Sequence, residues 1–187
     1  MDYLELDTKR LTIVEELDSH TTIVKVDTVD TNGQSHTVEG TGCGIVDAVF
    51  SGLLSRYAVE YKSLETIQLC DFNVVARLDT KNAASGSDAV GEVSLHVRNS
   101  EGNTFTFADA SRSITGSITR AVVAVVEYFV NAERAFMILY KSLEDAKARN
   151  RTDLITRYTR ELAELVKSTS YTEIIEKMKR QSGVFGL

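Results

Sequence analysis

The stretch Thr22–Phe50, TIVKVDTVDTNGQSHTVEGTGCGIVDAVF, holds two hydrophobic periods separated by a turn. Val24, Val26 and Thr28 fall on one side of an extended chain, Ile23 and Lys25 on the other. That alternation predicts a half-buried strand over Thr22–Val29. Asn32-Gly33 predicts a hairpin, because both residues tolerate positive φ. The returning strand is expected at Ser35–Glu39. After Gly40-Thr-Gly-Cys-Gly44 the period changes. Ile45, Val49 and Leu53, with Val46, Phe50 and Leu54, recur at helical spacing to about Tyr57 and make an apolar face wide enough to cover a sheet. Upstream, Thr12–Glu16 is rich in β-branched residues and predicts one more strand.

The same plan recurs at an offset of 69 residues, without a gap. Val93, Leu95 and Val97 alternate with Glu92, Ser94 and His96. Glu101-Gly102 is a turn, and Thr104–Ala108 returns with Phe105 and Phe107. A helix is expected from near Ser113 through Ile118, Val122, Val125, Val126 and Phe129. Gly33 falls on Gly102, Val24 on Val93, Val26 on Leu95, Thr37 on Thr106, Val38 on Phe107, Ile45 on Ile114 and Leu53 on Val122. The coincidence of turns, strand patterns and helix starts reads as an internal duplication. The strand that opens the second copy lies within Leu64–Leu78, with Ile67, Leu69, Val74 and Val75. Asp79–Gly86 is polar and reads as a loop.

After Asn131 the β-branched residues thin out, and Ala, Glu, Lys, Arg and Leu take over. Ala132–Arg149 continues a helix with Phe136, Leu139, Tyr140 and Leu143 as its stripe. Thr152-Asp153 opens another helix to about Lys167, with Leu154, Tyr158, Leu162 and Leu165 inward. Ser168–Ser170 is a break, and Thr172-Glu173 starts a short third helix. The expected class is α+β: two pseudo-symmetric βββα units over residues 1–131, followed by a helical extension over 132–187.

Composition narrows the function. The 187 residues carry a net charge of −6, with no basic stripe of the kind a nucleic-acid binder shows. No apolar run approaches the ~18 residues that span a bilayer, and the acidic N-terminus lacks a signal-peptide pattern, so a cytoplasmic protein is expected. Cys43 and Cys70 form no CxxC pair, and His20, His36 and His96 have no metal-ligand spacing. No GxSxG surrounds Ser111 or Ser113. Asp47 sits in a first helical turn, where the helix dipole favours a carboxylate, and Asp88 sits in a turn-forming run. Neither has a partner that would make an acid–base pair. No catalytic residue, metal or cofactor is therefore expected. Gly40, Gly42 and Gly44 before a helix could present bare amides to an anion, although a tight strand-to-helix turn uses the same residues.

Three segments carry a family resemblance. Gly42-Cys-Gly-Ile-Val-Asp-Ala-Val49, Leu69-Cys-Asp-Phe-Asn-Val-Val-Ala76 and Gly86-Ser-Asp-Ala-Val-Gly-Glu-Val93 are similar, in order and spacing, to motifs of the C-terminal regulatory domain of α-isopropylmalate and citramalate synthases. The resemblance covers about residues 10–131. It implies two βββα units related by a pseudo-two-fold axis, a homodimer, and feedback binding of leucine or isoleucine. Carried over by motif, Gly42, Cys43 and Gly44 would hold the ligand's polar end, and Leu69, Phe72, Ala76, Ala89 and Gly91 would line its apolar part. The synthases' catalytic barrel has no counterpart in this sequence, so the condensation they perform is not expected. A non-catalytic regulator of a separately encoded barrel-type synthase is implied, with a ligand-free dimerisation scaffold as the alternative. Two positions depart from the family: Cys43-Gly44-Ile45 replaces Asn or Asp followed by Gly-Pro, and Ser111-Arg-Ser-Ile114 lacks an Asp.

Overall fold

Each run of alternating residues forms a strand because only one of its faces can be buried. In β2, Thr21–Asp30, the side chains of Thr22, Val24, Val26 and Thr28 are buried, while Ile23 and Lys25 are exposed. In β5, Val90–Arg98, the buried set is Gly91, Val93, Leu95 and Val97. The computed structural model describes residues 3–77 and 89–166. It contains β1 (Leu6–Glu16), β2, β3 (Ser35–Gly42), α1 (Ile45–Tyr57), a 3-10 turn (Lys62–Glu65), β4 (Gln68–Arg77), β5, β6 (Thr104–Ser111), α2 (Ile114–Ala148) and α3 (Thr152–Val166). The described residues thus form two βββα units followed by one more helix. The expected loop over Asp79–Gly86 and the expected third C-terminal helix both fall entirely outside the described residues.

The strands form two antiparallel sheets, β1-β2-β3 and β4-β5-β6. The duplication extends to individual hydrogen bonds. In the first unit the Asp30 N–H donates to the Gln34 carbonyl, and the Gly33 N–H to the Asp30 carbonyl. In the second, Asn99, Asn103 and Gly102 repeat both bonds. The side-chain oxygens of Asp30 and Asn99 also accept from the amides of Gln34 and Asn103, at 3.0 and 2.8 Å. Gly33 and Gly102 stand at φ of 77° and 84°, the left-handed region that excludes most side chains. Strand registers agree as well: Val26 opposite Val38 becomes Leu95 opposite Phe107. The opening strands share a bulge, at Lys9 in β1 and Cys70 in β4, but at an offset of 61. The β4–β5 connection takes up the difference.

α1 packs on β3 and β2, α2 on β6 and β5, and the two helices pack on each other. One core results. Val24, Val26 and Val38 of the first sheet, Val49 and Leu53 of α1, Val93, Leu95 and Val97 of the second sheet, and Val122, Val126 and Phe129 of α2 all belong to it. Phe129 is fully buried, and its ring meets Phe105 and Tyr128 edge-on at centroid distances of 5.4 and 5.3 Å. The 3-10 turn is held to α2 by Glu133, buried at 1% exposure. Its Oε2 accepts from the N–H and Oγ of Ser63, at 3.0 and 2.7 Å. A separate apolar cluster, built on Phe136, Leu143 and Leu162, joins the far half of α2 to α3.

The chain start is laced across α2. Asn131 accepts from the Leu4 N–H at 2.7 Å and donates back to the Leu4 carbonyl at 2.9 Å. One turn earlier, Glu127 Oε1 accepts from the Leu6 N–H at 2.5 Å. Burial pushes the Glu127 carboxyl above its ordinary range, nearby Glu5 adds to this, and the Leu6 N–H opposes it. A carboxyl raised on folding stabilises the fold fully below its unfolded pKa and loses that contribution as pH climbs through the folded value. Between pH 4 and 7 the wild type is therefore expected to lose more stability than Glu127→Gln, whose amide oxygen can still accept from Leu6. Urea unfolding of both proteins at the two pH values checks this; parallel losses would remove Glu127 as the source.

Candidate functional site

The glycine-rich bend owes its composition first to packing. A Cβ at Gly40 would lie 2.0 Å from the Ala48 carbonyl oxygen, and one at Gly42 would lie 2.5 Å from Asp47 Oδ2 and 2.6 Å from the Ala48 nitrogen. Strand β3 and the first turns of α1 approach so closely that neither position admits a side chain. Gly44 differs. It caps α1 in extended backbone (φ −169°), with nothing within 4 Å of a Cβ position. The Gly42 backbone lies in the β2–β3 ladder opposite Thr22. The Cys43 N–H donates to Asp47 Oδ2 at 2.9 Å, so one of the amides expected to face a ligand is engaged by the protein's own carboxylate. The Cys43 side chain is exposed.

The other five predicted residues gather in the second unit. Leu69 is opposite Val97, Phe72 opposite Leu95, and Ala76 opposite Gly91. Directly opposed residues share a sheet face, so these side chains lie on the core-facing side of β4-β5-β6. Leu69 is half-buried and packs on the core, whereas Phe72 and Ala76 are exposed. Ala89 immediately precedes β5 and is half-buried. Gly91 is buried beneath Ile114: a Cβ there would lie 2.7 Å from Ile114 Cγ1. The fold brings these five together on and beside one sheet. Gly42, Cys43 and Gly44 belong to the bend between β3 and α1 of the first unit, and no extended contact joins β3 or α1 to β4 or β5 among the described residues.

Two features were missed by reading residues one at a time. Asp47 acts on Cys43 across four residues, where the sequence suggested only a helix-dipole role. The second bend is also filled. Ser111 and Asp109 stand where the first unit has Gly42 and Gly40. Arg120 Nη2 donates to Asp109 Oδ2 at 2.7 Å and to Ser111 Oγ at 2.9 Å. The hydrogen bond from Arg120 holds the Asp109 carboxyl below its ordinary range. The offset of 69, followed past the turn, carries the signal: glycines in one unit become hydrogen-bonding residues in the other. Ser113 caps α2 by accepting from the Gly116 N–H at 3.1 Å.

Two of the three histidines lie beside side-chain partners, and Asp88 falls outside the described residues. His36 Nε2 lies 3.0 Å from Asp30 Oδ2, and His96 Nδ1 lies 3.0 Å from Thr106 Oγ1. No group of three or more His, Cys, Asp or Glu able to hold a metal occurs among the described residues. No described helix is long and apolar enough to cross a membrane. A groove of about 590 Å³ lies along α2 and α3, lined by Leu139, Arg160, Glu161, Glu164 and Leu165, none of them a predicted site residue.

None of the curated proteins matches the chain. The family model of the LeuA allosteric (dimerisation) domain matches residues 2–130, which takes in both βββα units and stops inside α2. With the fold, the paired units and most of the chain in agreement, the protein belongs to the LeuA allosteric (dimerisation) domain family.

Proposed function

We propose that this protein is a non-catalytic cytoplasmic regulator. It binds a branched-chain amino acid, leucine or isoleucine, or a related small carboxylate. As a homodimer, it modulates a separately encoded barrel-type synthase of branched-chain amino-acid biosynthesis. The observation that carries this reading is the match of an allosteric domain to both duplicated units. Gly42, Cys43 and Gly44 would take the polar end, and Leu69, Phe72, Ala76, Ala89 and Gly91 the apolar end. Binding the polar end at Cys43 requires Asp47 to release the amide it now engages.

That requirement, with Ile114 lying over Gly91, favours the second reading: a dimerisation scaffold that takes no ligand. Thermal unfolding with leucine, isoleucine and valine separates the two. A ligand that binds only the native state stabilises it by about 2.7 kcal/mol at a hundred times its dissociation constant. For a chain of this size that is a rise of several degrees. The regulator reading expects leucine or isoleucine to raise the midpoint with concentration. A midpoint unmoved by all three, up to about a hundred times a weak (~0.1 mM) dissociation constant, leaves the scaffold.

A further inference from the structure

The two hairpin turns share one backbone plan but not one chemistry. Before the left-handed glycine, the first turn carries Asn32 and the second carries Glu101. Asparagine is chemically labile. The backbone nitrogen of the next residue can attack its side-chain amide, and a glycine there leaves the approach uncrowded. Of the seven asparagines in the chain, Asn32 alone is followed by glycine. Asn32 and Gly33 are both exposed, and nothing lies within 4 Å of a Cβ position on Gly33. Hydrogen bonding is what restrains the pair. The Gly33 N–H donates to the Asp30 carbonyl at 3.0 Å. Asp30 Oδ1 accepts from the amides on either side, Asn32 at 2.9 Å and Gln34 at 3.0 Å. A nitrogen whose proton is committed to a carbonyl is a poor nucleophile, so the turn gates the reaction. A gate at an exposed hairpin tip opens at small cost. Asn99, which precedes the small Ser100, is held differently: it is 4% exposed, and its Oδ1 accepts from the Asn103 N–H.

We propose that Asn32 is a self-modification site, at which the Gly33 nitrogen closes on the Asn32 side chain whenever the Gly33–Asp30 hydrogen bond opens. The nitrogen bonds to Asn32 Cγ and gives up its proton. The bond from Cγ to the side-chain nitrogen breaks, and ammonia leaves. One water then opens the five-membered imide at either carbonyl. The product is aspartate, or isoaspartate with the main chain rerouted through the former side chain. Water in and ammonia out balance the step, and nothing is oxidised or reduced. The new carboxylate makes the chain one charge more negative than −6. It arises beside Asp30, whose Oδ2 lies 3.0 Å from His36 Nε2. The other ring nitrogen of His36 lies 3.5 Å from Arg56 Nη2 of α1, so the charge enters a run of contacts from the hairpin tip to the helix. Isoaspartate also adds a backbone atom inside the turn that the Asp30–Gln34 pair closes. The second turn is an internal control. The Gly102 N–H donates to the Asn99 carbonyl at 3.1 Å in the same way, but Glu101 has no amine to expel.

The test is to age the full chain at mildly alkaline pH, folded and in urea, and to follow each asparagine by peptide mapping. The amide-to-acid mass change is expected first at Asn32, with isoaspartate among the products. The folded chain should convert about tenfold or more slowly than the unfolded one, because the turn has to open first. Asp30→Ala removes the acceptor from both flanking amides and should raise the folded rate severalfold. Asp30→Asn copies the acceptor that Asn99 supplies in the second turn and should keep the slow rate. Asn32→Gln, which would need a larger ring, should stay unmodified over the same period. Conversion of the unfolded chain with no change at Asn32 in the folded chain overturns the site, as does earlier conversion at another asparagine. Equal rates in the two states, or Asp30→Ala ageing at the wild-type rate, overturn the hydrogen-bond gate and the proposal with it.

Discussion

Gly40→Ala is expected to cost about 3 kcal/mol or more of unfolding free energy, at the upper end of what overpacking does. A methyl group at residue 40 would meet the Ala48 carbonyl oxygen at 2.0 Å, the Gly52 nitrogen at 2.7 Å and the Gly52 Cα at 2.9 Å. All three are backbone atoms, so no rotamer change relieves the clash. Helix α1 has to lift from β3, which opens the layer holding Val38, Val49 and Leu53, each exposed by 3% or less. The second unit carries Asp109 at the corresponding position, with its carboxylate held by Arg120. The close approach therefore belongs to the first unit and not to the βββα plan as such. Urea unfolding monitored by circular dichroism measures the effect; a midpoint equal to wild type would mean that α1 can slide without loss.

Phe129→Ala should cost about 3–5 kcal/mol, the range for removing a buried aromatic ring. Phe129 is fully buried, and it touches Phe105 of β6 and its own neighbour Tyr128. Tyr128 in turn meets Phe107 and Phe105, at 5.6 and 5.4 Å. Deletion of the ring leaves a cavity in the layer where α2 meets the second sheet. The loss should appear in equilibrium unfolding of the whole domain. A change below ~1 kcal/mol would show that the neighbouring rings collapse into the space.

The sequence reveals the fold wherever a single rule governs a segment. Alternation in β2 and β5 is clean because one face meets a helix and the other meets solvent. Gly33 and Gly102 mark turns because only their backbone accepts the required φ. The start of α1 at Ile45 and of α2 near Ser113 follow directly from the change of period. Legibility fails where two rules collide. β1 begins at Leu6, well before the predicted Thr12, because the bulge at Lys9 breaks alternation. The bulge at Cys70 blurs β4 in the same way, and the 3-10 turn with buried Leu64 precedes it inside the same apolar run. For the site, the sequence groups residues by motif but not by which unit holds them. It shows small residues at Gly42 and Gly91, but not that Asp47 and Ile114 use the room beside them.

Helix α2 runs for 35 residues, from the core into the extension, with no glycine or proline after Gly116. Its first half is bolted to the second sheet, and through Asn131 and Glu127 to the start of the first. Past Arg134, which still reaches Tyr61, it runs on for about 21 Å at 1.5 Å per residue and packs on α3. Such a rod has no joint at which to absorb motion. The extension is thus continuous with the core through unbroken helical backbone, with no built-in kink between the sheets and the tip at Ala148.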